Sequence, residues 1–494
     1  MTDYIIAVDQ STSGTKVLLV DSNGKIVSKK AKSHQQYYPH PSWVEHDPLE
    51  IYQNVKQLLN DMLTEQAILH QHIKGLSITN QRETIVVWDK ETGLPIYNAI
   101  VWQCRRTADL CGQLREDGHE KKFYEKTGLT LDPYFSATKV KWILENVDGA
   151  KEKAKNGNLL LGTIDSWLIW KLTNGKAHVT DYTNASRTAL FNIHTCQWDQ
   201  ELLDILEIPV SLLPVVKSSN EIFGHITDEE SAAKGFPISG VIGDSQGALF
   251  GQKCFEQGMA KATYGTGTSV LVYTGELIPS ENGLVTSIAW SIDHQVEYAL
   301  EGVIHSTGDT ISWLKEQLEL IKDVSELEPL ARTIPDNQGV YLIPAFVGLG
   351  APYWDPYAKA AIIGMSRSSK KAHIIRAALE STVYQVKDAA TLIEQESNIS
   401  IKELRVDGGA TGNQFLMQFQ ADMLGVNIRI SELAELSAMG SVYLAGLGFG
   451  IWKSINEIKG LNQEANIYQP QMQEAIQKKY YAGWQQAVGY VIGK

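Results

Sequence analysis

The sequence predicts an α/β protein with two domains, each a sheet with helices on its faces. Three observations carry this prediction. The chain has 494 residues, more than one hydrophobic core normally supports. Short β-branched runs alternate with amphipathic segments, which is typical of strands interleaved with helices. A strand, a Thr/Gly/Ser corner and a second strand occur within residues 4–30 and again within 259–278, which indicates a divergent internal repeat.

The remaining elements follow in order along the chain. A Ser-Asn-Gly hairpin turn at 22–24 continues the first repeat. Further strand patterns lie in residues 73–89, 339–348 and 403–410. Amphipathic helices are expected over residues 48–66, 139–147, 372–397 and 413–425. We place the domains at 1–251 and 252–494, and we expect them to enclose a ligand cleft.

Composition and charge narrow the function classes. The chain is 43% hydrophobic and 20% charged, as globular proteins are, and its formal net charge is −13. That charge argues against a nucleic-acid partner, which needs clustered Lys and Arg. The four cysteines show no paired CxxC spacing and indicate no metal site. Without a signal-peptide pattern or an apolar run near about 18 residues, we expect a cytoplasmic protein with no membrane span.

The corner VDQSTSGTK, after the first predicted strand, is a candidate phosphate loop. Hydroxyls and backbone N–H groups in a tight corner suit phosphate oxygens, and the residues concerned are Thr12, Ser13 and Lys16. Asp9 suits Mg²⁺ held through water. The corner lacks the Walker A spacing, and a Ser/Thr-rich hairpin turn explains it equally well.

A second corner, ISGVIGDSQGALFG, sets Asp244 between an apolar strand and a helix. Asp at such a seam commonly caps the helix by accepting its backbone N–H groups. The alternative role is a general base that takes a proton from a substrate hydroxyl. Viewed alone, the corner favours capping.

Two later corners are also rich in glycine. In RVDGGATGNQFLMQFQADML, Gly409 allows close backbone approach, and Asn413 begins a helix whose N-terminus faces that approach. TYGTGTS, with Thr266, is a glycine-hydroxyl loop of the same kind. A turn before a helix would also explain the first of these.

The order of these corners is similar to that of the actin, heat-shock-70 and sugar-kinase ATPases, whose two ribonuclease-H-like domains enclose ATP. Within that superfamily the chain resembles the FGGY carbohydrate kinases over nearly its full length, and in particular the branch that phosphorylates glycerol. The resemblance is carried by SWVEHDP (42–48), ITNQRET (78–84), YNAIVWQCRRT (97–107), YFSATKVKWILEN (134–146), VTDYTNASRT (179–188), IPAFVGLGAPYWDPYA (343–358), AIIGMSRSSKKAHIIRAALES (361–381) and LRVDGGATGNQFLMQFQ (404–420).

The resemblance implies ATP-dependent phosphorylation of a terminal hydroxyl, with Asp244 as catalytic base. It assigns the polyol site to Arg82, Glu83, Trp102 and Tyr134. It assigns nucleotide contacts to Thr12, Ser13, Lys16, Thr266, Gly308, Gly409 and Asn413, and water-mediated Mg²⁺ to Asp9 and Asp244. From the residues alone, Arg82 and Glu83 are also compatible with an exposed strand-edge pair, and Trp102 and Tyr134 with core aromatics.

Three serines depart from the family pattern. Ser245 stands where a Gln usually contacts the substrate, and Ser269 where an aromatic ring packs on glycerol. Ser312 stands where a nucleotide-side Gln is common. Each of the first two losses weakens glycerol binding by about 1–3 kcal/mol unless the substrate supplies other contacts. Glycerol is the leading substrate, giving sn-glycerol 3-phosphate, and a C4–C5 polyol or ketose is the alternative, with a pocket enlarged at both serines.

Two other function classes fit the residues less well. A non-kinase actin-like ATPase switch has no need of a polyol site, and a sugar sensor without activity has no need of both Asp9 and Asp244. We expect a homodimer or homotetramer. The loop at 224–240 lacks both the histidine that HPr-type proteins phosphorylate and the loop that binds fructose 1,6-bisphosphate, so neither control is expected; His225 lies too early to substitute.

Overall fold

The structure is a computed structural model that describes residues 2–355, 357–433, 435–461 and 464–492. The described chain divides into two compact units. The first contains residues 2–253 together with 287–298 and 435–461, and the second contains 254–286, 299–433 and 464–492. The first unit contains a six-stranded mixed sheet and a four-stranded antiparallel sheet, and the strands around the core of the second unit belong to a seven-stranded mixed sheet.

In chain order, the elements up to residue 253 are β1 (Tyr4–Gln10), β2 (Gly14–Asp21), β3 (Ile26–Ser33), β4 (Glu45–His46), α1 (Pro48–Glu65), β5 (Ile73–Asn80), β6 (Ile85–Asp89), β7 (Ala99–Ile100), α2 (Ala108–Glu116), α3 (Glu120–Thr127), α4 (Ser136–Asn146), α5 (Ala150–Lys155), β8 (Leu159–Thr163), α6 (Ile164–Leu172), β9 (Val179–Asp181), α7 (Tyr182–Ser186), β10 (Phe191–Asn192), β11 (Gln197–Trp198), α8 (Gln200–Leu206), β12 (Val215–Lys217), β13 (Gly224–His225), β14 (Pro237–Gly243) and α9 (Asp244–Gly251).

The elements that follow are β15 (Met259–Tyr264), β16 (Thr268–Gly275), β17 (Val285–Ile292), β18 (Gln295–Ile304), α10 (Gly308–Glu316), α11 (Leu327–Ala331), β19 (Tyr341–Ile343), β20 (Ala361–Ile363), α12 (Lys371–Ser397), β21 (Glu403–Gly408), α13 (Gln414–Leu424), β22 (Asn427–Ser431), α14 (Leu436–Gly448), α15 (Ile455–Gly460), β23 (Ala465–Tyr468) and α16 (Glu474–Val488). Short 3₁₀ segments lie at Ala67–His72, Val210–Leu212, Val324–Glu326 and Gly409–Gly412.

The predicted internal repeat is visible in the strand order. The first sheet runs β13-β14-β5-β1-β2-β3, and the second runs β17-β18-β16-β15-β21-β22-β23. In each, an opening hairpin pairs antiparallel (β1 with β2, β15 with β16), and its first strand then pairs in parallel with a later strand (β5 or β21). Since the hairpin, its corner and the parallel neighbour recur together, the two α/β sheets share one plan.

The four predicted helices are present within a few residues of their expected ends, as α1, α4, α12 and α13. Two strand patterns were too long. Residues 73–89 form β5 and β6 with a loop between them, and of 339–348 only Tyr341–Ile343 is a strand. The second shortening has a local cause: Pro344 follows Ile343 and has no N–H to donate to a ladder.

Apolar side chains of β1, β2, β5, α1 and α6 form the core of the first unit, and those of β15, β16, α12 and α13 form the core of the second. Helix α14 packs on β14 and α9 through glycines. A Cβ on Gly240, whose φ is +71°, would lie 2.2 Å from the Ser441 carbonyl oxygen, and one on Gly440 would lie 1.9 Å from that of Gly247. This close approach supports the strand-to-helix corner that carries Asp244. Within the described ranges, none of the helices has the length and apolar character of a membrane span.

Candidate active site

Three parallel strands of the first sheet bring the predicted residues to one edge. Strand β5 lies between β1 and β14, with Asp9 opposite Thr79 and Gly243 opposite Asn80. The carboxyl ends of parallel strands meet at the same edge, where ligands of α/β sheets bind. Loop 81–84 and the β14–α9 corner therefore lie side by side.

Arg82 and Asp244 are neighbours across this edge. Arg82 Nε lies 3.5 Å from Asp244 Oδ1, and Arg82 Nη1 donates to Gln246 Oε1 at 3.1 Å. Gly243 makes room for the arginine, since a Cβ there would lie 2.8 Å from Arg82 Cγ. Asp244 accepts the Ser245 N–H at 2.7 Å, yet its side chain is 38% exposed. The N-cap of α9 is Gly243, and Asp244 is the first residue of the helix. The Asp244 carboxylate is therefore not the cap of the helix and is open to a ligand.

Glu83 is buried and held from two sides. Arg187 Nε donates to Glu83 Oε1 at 2.6 Å, and Ser136 Oγ donates to the Glu83 carbonyl at 2.9 Å. Glu83 has φ +59°, a left-handed conformation that non-glycine residues adopt at a cost. Because Arg82 and Glu83 are both buried, the interpretation as an exposed strand-edge pair is wrong.

Trp102 and Tyr134 form an aromatic pair beside the phosphate loop. Their rings contact edge to face with centroids 5.4 Å apart, and both side chains are partly exposed, so neither is a core aromatic. Trp102 Nε1 donates to Thr12 Oγ1 at 2.9 Å. The structure thus joins a residue predicted for the polyol wall to one predicted for the phosphate loop.

The phosphate-loop corner itself is a tight β1–β2 turn. Ser11 donates through its N–H and its Oγ to the Gly14 carbonyl. Lys16 Nζ lies 3.5 Å from Asp9 and is paired with Glu435. Burial raises the pKa of Asp9 to about 6 against the lowering effect of Lys16, and the nearby Asp244 charge adds to the rise.

Residues predicted for the nucleotide lie at one edge of the second unit. The Gly308 N–H donates to the Gly265 carbonyl at 3.1 Å, and the Thr307 N–H donates to the Thr266 carbonyl at 2.9 Å. Exposed Thr266 thus sits against the N-terminus of α10. Strand β21 ends at Gly408, which pairs with Tyr264 just before the loop that contains Gly265 and Thr266. The next residue is Gly409, where an added Cβ would meet no atom within 4 Å.

Two other predicted nucleotide residues have local partners. The Asn413 side chain caps α13 by accepting the Leu416 N–H at 3.0 Å. Ser312 lies on α10, exposed, with its Oγ 3.4 Å from the Gly308 carbonyl.

The two substrate-side serines belong to different units. Ser245 is in the first turn of α9, and Ser269 is on β16 of the second unit. Ser269 Oγ donates to Glu301 at 2.8 Å, and Lys261 Nζ lies 3.5 Å away. The prediction that these serines enlarge a common pocket stays a prediction.

Two residues of this site were missed from the sequence, Gln246 and Arg187. Gln246 holds the Arg82 guanidinium and donates to the Ile288 carbonyl at 3.3 Å. Arg187 pairs with Glu83 and donates to Ser287 at 2.8 Å. The sequence offered only a weak signal for these two residues. Gln246 lies in the motif ISGVIGDSQGALFG and Arg187 in VTDYTNASRT, but the partner of each is more than a hundred residues away.

Comparison with known proteins agrees with this geometry. The model of the FGGY family of carbohydrate kinases, N-terminal domain, matches residues 4–251, and the model of its C-terminal domain matches 260–449. The chain is 52% identical over 489 residues to a glycerol kinase of Bacillus subtilis, covering 99% of each chain. It is 51% identical over 493 residues to one of Alkaliphilus metalliredigens, covering 100% of this chain and 99% of the other.

Solved structures agree as well. The crystal structure of Plasmodium falciparum glycerol kinase with ADP superposes with a TM-score of 0.93 at 37% identity, covering 100% of this chain and 99% of that one. A xylulose kinase from Lactobacillus acidophilus shares the fold, with a TM-score of 0.85 at 23% identity and coverage of 98% and 96%. The two related sheets are thus the ribonuclease-H-like domains of the sugar kinases. The chain belongs to the FGGY family of carbohydrate kinases.

Proposed function

We propose that this protein phosphorylates a terminal hydroxyl of glycerol with ATP, giving sn-glycerol 3-phosphate. The observation that carries the proposal is the grouping of Arg82, Glu83 and Asp244 at one sheet edge, with Trp102 beside the phosphate loop. The full-length similarity to curated glycerol kinases supports the choice of glycerol.

Asp244 is the general base. Its carboxylate is open to a ligand and lies beside a buried arginine, and in this role it accepts the proton of the attacking hydroxyl. The hydroxyl oxygen forms its bond to the γ-phosphorus as the bond to the ADP oxygen breaks, in line. Asp244 is then left protonated and ADP leaves.

Arg82, Glu83 and Tyr134 read the hydroxyl pattern. The guanidinium donates and the carboxylate accepts, so together they select a vicinal diol. Trp102 and Tyr134 cover the C–H edges with apolar faces. We assign this polyol site to residues 1–251 and nucleotide binding mainly to 252–494.

The nucleotide role is assigned to Thr12, Ser13, Lys16, Thr266, Gly308, Ser312, Gly409 and Asn413. Asp9 and Asp244 fit a Mg²⁺ ion because both are carboxylates, a ligand type that this ion prefers. They also lie close enough for the charge of Asp244 to contribute to the raised pKa of Asp9. When bound, the ion neutralises phosphate charge.

The test is ADP release with glycerol, dihydroxyacetone, erythritol, the pentitols, the ketopentoses and no acceptor. We expect glycerol to give the highest kcat/KM. A C4–C5 polyol or ketose that wins by tenfold, about 1.4 kcal/mol, would instead mark Ser245 and Ser269 as a changed specificity. ATP hydrolysis that no acceptor stimulates would favour the actin-like switch.

Three finer properties belong to the same proposal. They are a cytoplasmic location, a homodimer or homotetramer, and freedom from HPr-type phosphorylation and fructose 1,6-bisphosphate control. Light scattering of the purified protein tests the second. Activity assayed with and without each regulator tests the third.

A further inference from the structure

The backbone carbonyls of the phosphate loop are held by donors. The Ser11 carbonyl accepts from Gln10 Nε2 at 2.8 Å, and the Thr12 carbonyl from Gln36 Nε2 at 2.8 Å. The His34 N–H donates to the Ser13 carbonyl at 3.4 Å. In a planar trans peptide the C=O and the following N–H point in opposite directions. Fixing these carbonyls therefore turns the N–H groups of the next residues away from the groups that donate to the carbonyls, as an anion-binding loop requires.

Gln36, which is partly exposed, begins a polar chain that continues into the core. We name this chain the relay: Gln36, His46, Gln81 and Thr84. His46 Nε2 lies 2.6 Å from Gln36 Oε1, and its Nδ1 lies 3.4 Å from Gln81 Nε2. Thr84 Oγ1 donates to Gln81 Oε1 at 3.0 Å. His46, Gln81 and Thr84 are fully buried, where such chains polarise one another and tolerate little misalignment.

The direction of each bond in the relay follows from the chemistry. Burial, with a smaller effect from His34, lowers the pKa of His46 to about 3, so the ring is neutral. An amide oxygen only accepts, so His46 Nε2 carries the proton and donates to Gln36. Nδ1 is then the lone-pair nitrogen and accepts from Gln81 Nε2, which also donates to Gln10 Oε1 at 3.0 Å. Gln36 is left with its Nε2–H groups to donate to Thr12.

Trp102 closes this chain into a ring. Its backbone N–H donates to Thr84 Oγ1 at 3.3 Å, at one end of the relay. Its indole Nε1 donates to Thr12 Oγ1, and Thr12 is the residue at the other end. The aromatic wall of the polyol site and the phosphate loop are thus joined both directly and through buried side chains.

We propose that Gln36 and His46 are positioning residues, which hold the phosphate loop in its anion-binding conformation and in register with Trp102. This inference rests on the proposed function, because it assumes that the loop binds ATP phosphates. The inference adds Gln36 and His46 to the residues already assigned to the site. Both are proposed to contact neither substrate and to act through Thr12.

The test compares Gln36→Glu and Gln36→Met with Gln35→Met. Glu keeps an acceptor for His46 but has no donor for the Thr12 carbonyl, and Met removes both bonds. Gln35 is the exposed neighbour, whose side chain donates to the Gln36 backbone carbonyl at 2.8 Å rather than to the Thr12 carbonyl, and it serves as the matched control. We expect both Gln36 variants to raise KM for ATP about tenfold, with KM for glycerol and kcat within about twofold of wild type, and Gln35→Met to change neither KM.

If Gln36 had only a structural role, its variants would affect stability and kcat instead of KM for ATP. They would lower Tm and the active fraction, and hence kcat, while leaving KM for ATP unchanged; that result overturns the proposal. Affinity for β,γ-imido-ATP with Mg²⁺, measured calorimetrically without a polyol, should fall by the same factor in both variants. This readout separates the two proposals, because it does not depend on glycerol being the acceptor.

A second measurement needs no Gln36 variant. In ¹⁵N spectra of histidine-labelled wild-type protein, assigned through loss of the signal in His46→Gln, His46 should be a neutral Nε2–H tautomer from pH 5 to 8. An Nδ1–H tautomer, or a ring that becomes charged in this range, would reverse the relay and refute the inference even if the Gln36 variants fail to fold.

Discussion

Arg187 and Glu83 form an ion pair from which water is excluded: Nε and Oε1 are 2.6 Å apart, and the two side chains are 0% and 1% exposed. A carboxylate buried this deeply stays charged only with such a partner. The pair also helps to hold Glu83 in its left-handed backbone conformation. The polyol contact proposed for Glu83 would therefore depend on Arg187.

Replacing Arg187 by Met should destabilise the protein strongly. The change removes the cation that lies 2.6 Å from Glu83 Oε1 and leaves the more distant Arg82 Nε, at 3.7 Å, beside this buried carboxylate. Breaking a buried pair in this way typically costs about 3–5 kcal/mol. Urea denaturation measures the loss. Lys478→Met, which breaks the exposed pair with Glu474, should cost less than about 1 kcal/mol, and equal losses in the two variants would contradict this account.

Asp244→Asn should lower kcat by about 10²–10⁴-fold, because an amide cannot accept the hydroxyl proton. KM for glycerol should change far less, since Arg82 and Glu83 remain. Coupled ADP release provides the measurement. Asp109→Asn, at an exposed position in the first turn of α2, is the matched control and should retain full activity. Full activity of Asp244→Asn would rule out the base.

Ser245→Gln should lower KM for glycerol about tenfold if the lost amide contact weakens glycerol binding, in line with about 1–3 kcal/mol for such a bond. Ser312→Gln makes the same chemical change on α10 and should alter KM for ATP only. Steady-state kinetics with each substrate varied distinguishes them. A Ser245→Gln variant that loses glycerol activity but keeps a longer polyol would point to the enlarged pocket.

The Asp388 carboxyl should make stability depend on pH. Tyr353, Tyr481 and Trp484 donate to it, and burial raises its pKa to about 6 from an ordinary 3.8. Between these values the folded state holds the proton more tightly than the unfolded state. The carboxyl therefore contributes stability that is present below about pH 3.8 and lost as the pH rises through 6.

Asp388→Asn removes this titration. Between pH 4 and pH 7.5 the free energy of unfolding of the variant should rise relative to that of wild type by about 1.5–3 kcal/mol. Any effect of the substitution that does not depend on pH cancels in this difference. Urea denaturation at both pH values gives the difference. The free energy of unfolding of Asp109→Asn should change with pH as that of wild type does. If Asp388→Asn also showed the wild-type pH dependence, the raised pKa assigned to Asp388 would be contradicted.

Much of the local structure was predictable. Helices α1 and α13 begin at Asp47 and Asn413, whose side chains cap them, and the hairpin corner after β1 follows from its glycine and hydroxyl residues. Such signals lie within a few residues of the structure they form. The repeat was also found this way, because both copies carry the same short pattern.

Side-chain partnerships were not predictable from one sequence. Arg82 meets Gln246, 164 residues further on, and Glu83 meets Arg187, 104 residues further on. Gln36 and His46 looked like ordinary polar residues until the sheet placed them behind Thr12. Nothing in the spacing of these residues encodes such contacts.

The α/β class, the repeated hairpin and the family motifs follow from the amino-acid sequence alone, because these are local patterns of hydrophobicity, turn residues and short polar signatures. Tertiary structure alone decided that Asp244 is an open carboxylate beside Arg82, that Glu83 is buried on Arg187, and that Trp102 contacts Thr12. The reason is physical: burial and hydrogen-bond partners are set by which strand ends the sheet brings together, and that pairing is a property of the whole packed chain.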